Sequence, residues 1–164
     1  MYDIIIVGAG PAGLTSAIYG VRGGRNVLMI EKLSYGGQII NTPEVENYPG
    51  TGIVSGFQLA SDMYEQATKL GAEMAFGEVV ALEKNADGIF KIATDGGEEF
   101  EAKSVILATG VKSRPLGIDR EEELTGMGVS YCATCDGAFF RGKDVAIMGG
   151  GNTALEDAEY MSTI

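Results

Sequence analysis

The sequence predicts an α/β protein with a parallel sheet, and three observations support this fold class. A short apolar stretch, residues 4–7, leads directly into the glycine-rich segment 8–13. A helical spacing of apolar residues follows, and a second apolar stretch ends at Glu31. An apolar stretch and a glycine-rich segment of the same kind recur at residues 144–154. Strands that alternate with helices in this way are typical of βαβ units.

The first βα unit can be followed element by element. Residues 4–7 are rich in β-branched side chains, as in a buried parallel strand. Pro11 suits the first turn of a helix, where its missing N–H group costs little. Apolar residues at helical spacing continue to the glycine pair 23–24, which ends the helix. Residues 26–30 predict the next strand, with Glu31 at its end.

The middle of the chain predicts a loop, a helix and a set of strands. Residues 33–56 have little periodicity, and loops of this length are usually functional. Residues 57–70 have the apolar spacing of an amphipathic helix. A three-stranded antiparallel meander and a further buried strand are predicted at residues 78–84, 89–94, 98–102 and 105–107.

Composition excludes several classes of function. The net charge of -11 argues against general binding of nucleic acid or anionic lipid, because basic patches supply that affinity. No stretch reaches the ~18 apolar residues of a membrane-spanning helix, and the N-terminus lacks the basic start of a signal peptide. These features predict a cytoplasmic protein, and in that reducing compartment a single disulfide is more often catalytic than structural. The acidic run 121–123 is expected to be solvated.

The first glycine-rich segment predicts a dinucleotide site. Gly8 permits a tight turn, Gly10 lets a pyrophosphate approach the backbone, and Gly13 lets the helix pack closely on the strand. The helix N-terminus offers unpaired N–H groups and positive potential to phosphate. Glu31 ends the second strand, where a carboxylate can accept hydrogen bonds from a ribose. The alternative is a tight strand–helix turn without a ligand.

The second glycine-rich segment predicts a second nucleotide site. Gly149, Gly151 and Ala154 follow the apolar stretch 144–148, and alanine is an accepted variant at the third position. The residues that distinguish NADH from NADPH are expected after residue 164.

Cys132 and Cys135 are the only cysteines in the chain, and their spacing allows a small disulfide ring. Beside a βαβ pattern this motif indicates a redox-active dithiol, in which the thiolate is the attacking species. A structural disulfide is the alternative. A zinc site needs further thiolates or imidazoles, and the chain contains no histidine. Asp136 follows directly and could handle a proton when the disulfide opens. Together with two nucleotide sites, the dithiol predicts an electron path from a nicotinamide through a flavin to a disulfide.

The chain resembles the low-molecular-weight thioredoxin reductases of bacteria and archaea. The motifs that carry the resemblance occur in the family's order over essentially the whole chain, at residues 8–13, 36–38, 44–50, 108–110, 132–137 and 149–154. In the related high-molecular-weight reductases, the redox pair lies near the first glycine motif instead. The resemblance implies a Rossmann-like FAD/NAD(P)-binding fold of the three-layer ββα type, in a two-nucleotide-domain flavoprotein truncated within its second domain.

The resemblance also implies roles for individual residues. Cys135 would be the flavin-proximal sulfur that receives electrons, Cys132 would attack the disulfide of thioredoxin, and Asp136 would protonate the departing thiolate. The pyrophosphate of NADPH would contact Gly149, Gly151, Asn152 and Thr153. FAD would contact Gly8, Gly10, Pro11, Ala12, Gly13, Glu31, Lys32, Gly36, Gly37, Gln38, Asn47, Val79, Thr109 and Gly110.

The implied organisation has two parts. Residues 1–113 would form an FAD-binding domain that lacks its C-terminal return segment, and residues 114–164 would begin an NADPH-binding domain carrying the redox pair. The full-length protein would be a homodimer that reduces thioredoxin. The isolated chain would be an incomplete fragment that binds FAD weakly and has no NADPH-dependent turnover. The alternatives are the flavoprotein of an alkyl hydroperoxide reductase, a ferredoxin-dependent thioredoxin reductase, and a non-catalytic nucleotide-binding fragment.

Overall fold

Six strands form one mixed sheet in the computed structural model, which describes residues 1–164. The strands are β1 (Tyr2–Val7), β2 (Val27–Glu31), β3 (Glu73–Phe76), β4 (Val79–Lys84), β5 (Phe90–Thr94) and β6 (Glu99–Leu107). Their order across the sheet is β3-β2-β1-β6-β5-β4. Pairing is parallel from β3 to β6 and antiparallel from β6 to β4.

The chain divides into two compact units, residues 1–110 and residues 111–164. The first unit contains the sheet and two helices, α1 (Pro11–Arg22) and α2 (Gly56–Lys69), with a 3₁₀ turn at Gly37–Asn41. The second unit contains α3 (Glu121–Leu124), α4 (Ala133–Asp136), a 3₁₀ turn at Gly137–Phe140, and α5 (Asn152–Met161). The assignment of one nucleotide to each part of the chain stays a prediction. None of the helices is long and apolar enough to cross a membrane.

The sheet of the first unit has an apolar core on each face. Successive residues of a strand point to opposite faces, so Ile6 of β1 packs with Leu14 of α1 and Leu59 of α2. Its neighbour Ile5 lies in a second cluster with Ile92 of β5. Helices therefore cover one face of the parallel strands, and the antiparallel strands β4 and β5 lie over the other face, where Ile92 also clusters with Leu28 and Ile30 of β2. This arrangement confirms the predicted α/β fold with three layers.

β6 is one strand where the sequence predicts two. The expected strands at residues 98–102 and 105–107 form a single strand of nine residues. Its first part pairs antiparallel with β5 and its second part pairs parallel with β1, and Ala102 lies opposite both Phe90 and Tyr2. Because each part has its own hydrogen-bonding neighbour, the strand continues through the polar residues that interrupt the apolar pattern.

β3 has no counterpart among the predicted strands, whereas the strand predicted at residues 144–148 is absent from the structure. β3 is only four residues long, and it forms by parallel pairing with β2, where Leu28 lies opposite Glu73. Residues 144–148 pair with no neighbouring strand, and Ile147 and Met148 are exposed. A strand is defined by its hydrogen-bonded neighbour, so an apolar stretch without one remains irregular.

The loop predicted at residues 33–56 is more ordered than its sequence indicates. Besides the 3₁₀ turn Gly37–Asn41, it contains an antiparallel bridge between Val45 and Val54. The loop is therefore folded back on itself before α2 begins.

Replacing Ile92 with alanine tests the second core. Ile92 is 1% exposed between the parallel strands and the meander, and we expect the variant to lose about 2–5 kcal/mol of unfolding free energy because of the cavity it leaves. Val80 of β4 is 63% exposed, so Val80→Ala should change stability by no more than about 0.5 kcal/mol. Urea unfolding followed by circular dichroism measures both, and equal losses would contradict this description of the core.

Candidate functional site

The turn between β1 and α1 can be built only with glycine at two positions. Gly8 has a φ of 103°, and its N–H group donates to the carbonyl oxygen of Ile30 at 2.8 Å. A Cβ atom at Gly13 would lie 1.9 Å from the carbonyl oxygen of Gly8. No side chain fits in that space, so α1 packs directly against the end of β1.

The N-terminus of α1 is open towards solvent and rich in donors. Gly10 is the N-cap residue of α1 and has no side chain with which to cap the helix. In α2, by contrast, Ser55 Oγ caps the helix by accepting a hydrogen bond from the N–H of Gln58 at 3.1 Å. The first intrahelical bond of α1 is from the N–H of Leu14 to the carbonyl oxygen of Gly10, so the N–H groups of Ala12 and Gly13 have no partner within the helix, and Pro11 has no N–H group. A Cβ atom at Gly10 would meet nothing closer than Gly37 Cα at 3.9 Å. These features fit a pyrophosphate, which needs both donors and close access to the backbone.

Glu31 is the last residue of β2, and its side chain also fixes the glycine-rich turn between β1 and α1. Its Oε2 accepts a hydrogen bond from the N–H of Ala9 at 2.9 Å, and its Oε1 accepts one from the N–H of Leu33 at 3.0 Å. A carboxylate has about four acceptor positions, so each oxygen keeps one for a ribose hydroxyl. The sequence predicts the ribose contact but not the hydrogen bonds that fix the carboxylate.

A second backbone segment lies against the first glycine motif. The N–H group of Gly36 donates to the carbonyl oxygen of Ala9 at 2.7 Å, and a Cβ atom at Gly37 would come within 3.3 Å of Gly10 Cα. Just before this segment, the ring of Tyr35 stacks on Tyr64 of α2, with 4.2 Å between centroids and 3° between planes. The segment is thus fixed to α2 while its glycines face the turn, and Gln38 follows in the 3₁₀ turn.

The other predicted FAD residues are distributed around the first unit. Thr109 and Gly110 follow β6 after one intervening residue, and Thr109 Cα would lie 3.3 Å from a Cβ atom at Gly8. Lys32 is exposed, with its Nζ 3.6 Å from Glu78. Two predicted residues lie outside the contacts that define the turn: Asn47 is exposed in the loop before α2, and Val79 begins β4, where it packs on the meander-side core.

The second glycine motif caps α5. Gly149 has a φ of 148°, Gly151 is the N-cap residue without a side-chain cap, and Asn152 and Thr153 are the first two helical residues. A Cβ atom at Gly151 would meet nothing within 4 Å. This helix end also offers free donors, but no paired strand precedes it.

The two cysteines form a disulfide across a single helical turn. Cys132 is the N-cap residue of α4, and the Cα atoms of Cys132 and Cys135 are 5.3 Å apart. The carbonyl oxygen of Cys132 accepts hydrogen bonds from the N–H groups of Cys135 at 3.2 Å and Asp136 at 3.1 Å. The backbone therefore holds both sulfur-bearing residues and the predicted acid in one turn.

Ser130 contacts both ends of this turn, and the sequence does not predict it as a site residue. Its hydroxyl group donates to Asp136 Oδ2 at 2.5 Å, and its Oγ accepts a hydrogen bond from the N–H of Cys132 at 3.1 Å. A serine two residues before a cysteine is too common a pattern to be noticed without coordinates.

Glu121 corrects the expectation of a solvated acidic run. Its side chain is 8% exposed and accepts hydrogen bonds from the N–H groups of residues 116–118 at 2.7, 2.7 and 3.3 Å, and from the hydroxyl of Tyr131. The hydrogen bonds from Tyr131 and from the backbone lower the pKa of Glu121. The same contact raises the pKa of Tyr131. Glu121 therefore joins the segment 116–118 to the residue preceding Cys132.

Comparison with known proteins gives a consistent result. A family model of pyridine nucleotide-disulphide oxidoreductases matches residues 2–164. The chain is 45% identical to the thioredoxin reductase of Bacillus subtilis over 162 residues, which are 99% of the chain and 51% of that protein. The thioredoxin reductase of Listeria monocytogenes is 46% identical, with 99% of the chain and 50% of that protein covered.

Solved structures show the same similarity. The crystal structure of thioredoxin reductase from Streptococcus pyogenes has a TM-score of 0.90 and 46% identity, and covers 99% of this chain and 53% of that chain. The thioredoxin reductase from Giardia duodenalis also has a TM-score of 0.90, at 35% identity, and again 53% of its chain is covered. The chain thus spans about half the length of the curated relatives it matches. These findings confirm the resemblance and the fold class predicted from the sequence.

Replacing Glu121 with glutamine tests the buried carboxylate. At pH 7 we expect the variant to be less stable, because glutamine presents an amide N–H₂ group to four donors. Since the pKa of Glu121 is lowered in the folded chain, its stabilising effect is complete above the unfolded value of about 4.3. That effect is lost as the pH falls through the folded value.

The stability difference between the wild type and Glu121→Gln should therefore be constant near neutral pH and shrink below about pH 4. Urea unfolding as a function of pH measures this difference in unfolding free energy. Amide hydrogen exchange at residues 116–118 measures the protection of the N–H groups that donate to Glu121. Glu122→Gln, in the same helical turn, is the matched control and should leave both unchanged. A difference of the same size at pH 7 and at pH 2 would contradict the role given to the ionised group.

Proposed function

We propose, because the chain belongs to the pyridine nucleotide-disulphide oxidoreductase family, that it carries the flavin site and the redox centre of an NADPH-dependent thioredoxin reductase. Electrons would pass from NADPH through FAD to the Cys132–Cys135 disulfide, and from the resulting dithiol to thioredoxin. The observation that carries the proposal is the disulfide beside Asp136, in a chain whose first unit presents an uncapped, glycine-lined helix N-terminus. The similar proteins named as thioredoxin reductases support the choice of disulfide substrate.

The first unit would hold FAD, which supplies two-electron redox chemistry when bound. The N–H groups at the start of α1 would donate to its pyrophosphate. Glu31 is already oriented by Ala9 and Leu33, and would accept hydrogen bonds from the ribose. The remaining assigned contacts are Gly8, Gly10, Pro11, Ala12, Gly13, Lys32, Gly36, Gly37, Gln38, Asn47, Val79, Thr109 and Gly110.

The Cys132/Cys135 dithiol would reduce the disulfide of thioredoxin in two steps. The thiolate of Cys132 attacks one sulfur of the substrate disulfide, the substrate S–S bond breaks, and the displaced sulfur leaves with the electron pair. The thiolate of Cys135 then attacks Cys132 Sγ, which reforms the Cys132–Cys135 bond and releases the second substrate thiolate. Asp136 would protonate a departing thiolate, so that both thiol protons of the enzyme end on the reduced substrate.

The remaining parts of the proposal concern the whole protein. The N-terminus of α5, with Gly149, Gly151, Asn152 and Thr153, would contact the pyrophosphate of NADPH. The full-length protein would be a homodimer. The protein would be cytoplasmic, because a reducing compartment does not favour a structural disulfide and the disulfides that occur there are usually transient and catalytic.

Replacing Gly10 with alanine tests the flavin site. The added methyl group meets no protein atom closer than 3.9 Å and the φ of -72° suits alanine, so we expect an unchanged urea midpoint. The methyl group would nevertheless occupy the space in which a pyrophosphate approaches the backbone, and FAD affinity should fall at least about tenfold. Quenching of FAD fluorescence on titration with the chain measures the affinity.

Gly96→Ala is the matched control for this substitution. Its Cβ atom would also meet nothing closer than 3.9 Å, but it lies in the turn between β5 and β6. It should bind FAD as the wild type does. Equal FAD affinity in the Gly10 variant and the wild type would exclude the proposed pyrophosphate position.

Replacing Cys132 with serine tests the direction of electron flow. In the full-length protein that contains this chain, anaerobic reduction of the flavin by NADPH should proceed as in the wild type. Reduction of thioredoxin should be abolished, because the proposed attacking sulfur is missing and Cys135 alone cannot form the Cys132–Cys135 bond that completes the exchange. Flavin absorbance and the insulin reduction assay measure the two half-reactions, and Ser162→Ala, outside the motif, should change neither. A Cys132→Ser variant that still reduces thioredoxin would show that another sulfur is the nucleophile.

A further inference from the structure

The hydroxyl group of Ser130 connects the backbone of the first cysteine to the carboxylate that follows the second. Its Oγ accepts the hydrogen bond from the N–H of Cys132 at 3.1 Å and lies 2.5 Å from Asp136 Oδ2 and 3.2 Å from the carbonyl oxygen of Cys132. We assign its proton to Asp136, because this contact is the shorter one and its acceptor is a carboxylate. A hydroxyl group has one proton and two acceptor lone pairs. Both contacts can therefore exist at the same time. The hydroxyl closes a ring that contains α4 and both cysteines.

The backbone around Ser130 is itself fixed. Tyr131, the next residue, donates its hydroxyl proton to the buried carboxylate of Glu121, which also holds the backbone of residues 116–118. The other end of the ring is fixed by the N–H of Asp136, which donates to the carbonyl oxygen of Cys132 at 3.1 Å. Ser130 thus presents its hydroxyl group to the carboxylate from an anchored backbone.

We propose that Ser130 is the positioning residue for Asp136: its hydroxyl group holds Oδ2 and leaves Oδ1 to carry the exchangeable proton. This inference rests on the proposed function, in which Asp136 protonates a thiolate that leaves during thiol–disulfide exchange. Without the hydroxyl group, the carboxyl group rotates about its side-chain bonds and spends less time in the orientation that transfers the proton. Misplacement of a reacting group by small distances is enough to slow a reaction markedly.

In the step that Ser130 assists, dithiothreitol supplies both electrons that reduce the Cys132–Cys135 disulfide. A thiolate of dithiothreitol attacks one sulfur of the Cys132–Cys135 bond, a mixed disulfide forms, and the other cysteine sulfur leaves with the electron pair. Asp136 gives that sulfur its proton and regains one from solvent, which received the proton of the attacking dithiothreitol thiol. The second thiol of dithiothreitol then closes its own ring and releases the remaining cysteine. Dithiothreitol is oxidised by two electrons and the protein disulfide is reduced by two.

A double-mutant cycle on the 164-residue chain tests this inference without any bound flavin or nucleotide. The variants are Ser130→Ala, Ser130→Thr, Asp136→Asn and the double variant Ser130→Ala/Asp136→Asn. The readout is the rate of disulfide opening by dithiothreitol at pH 7, followed by alkylation of the new thiols and mass spectrometry. Ser162→Ala, whose hydroxyl contacts only the backbone of Glu159, is the control, and circular dichroism establishes that each variant is folded.

We expect Ser130→Ala to slow disulfide opening about fivefold, as the loss of one hydrogen bond to a carboxylate would do, and Ser130→Thr to restore the rate because it keeps the hydroxyl group. Asp136→Asn should slow the opening about tenfold or more. In that background Ser130→Ala should have no further effect, since residues that act through one another are not additive.

Two kinds of failure can be told apart. If Asp136→Asn slows disulfide opening but Ser130→Ala does not, or if the two losses multiply, the positioning role is wrong while the proposed function stands. If the wild-type disulfide resists dithiothreitol, or if Asp136→Asn opens at the wild-type rate, the proposed chemistry of the dithiol itself is wrong and the role of Ser130 falls with it.

Discussion

The contact between the carbonyl group of Gly8 and the backbone of Gly13 is the constraint on which the geometry of the first glycine motif depends. A Cβ atom at Gly13 would lie 1.9 Å from that oxygen, and one at Gly8 would lie 2.3 Å from the carbonyl oxygen of Ala108. These two approaches place the start of α1 directly above the ends of β1 and β6. The N–H groups of α1, the carboxylate of Glu31 and the segment at Gly36 then meet at one edge of the sheet, as expected for ligand sites of parallel α/β sheets.

The redox centre depends on a different kind of constraint. α4 is one turn long, and neither α4 nor α5 has a buried residue, although the buried Gly137 directly after α4 packs against Met161 and Ile164. The turn with the disulfide is itself held by hydrogen bonds. Glu121 gathers the backbone of residues 116–118 and Tyr131, and Ser130 closes the turn from Cys132 to Asp136. A centre held by polar contacts close in sequence can keep its internal geometry whatever packs against it.

The sequence predicts those parts of the structure that local patterns determine. β1, α1 and β2 are correct because a short apolar strand, a proline at the helix start and glycines at both ends act within a few residues. β3 is missed because only its pairing with β2 makes it a strand. The strand predicted at residues 144–148 is absent because no neighbouring strand pairs with this apolar stretch. The buried state of Glu121 could not be read from the acidic run, because its donors come from two other segments of the chain.

The two glycine motifs show why the same pattern can have different consequences. The first follows a strand that is paired on both sides, by β2 and β6, and its turn is fixed by Glu31 and Gly36. The second follows residues without a paired neighbour, and space is open around Gly150 and Gly151. A nucleotide at the proposed first site would meet donors that neighbouring segments hold in place, whereas one at the proposed second site would meet a backbone with open space around it. Because ordering a segment subtracts from binding free energy, we expect the first motif to bind its nucleotide more tightly than the second.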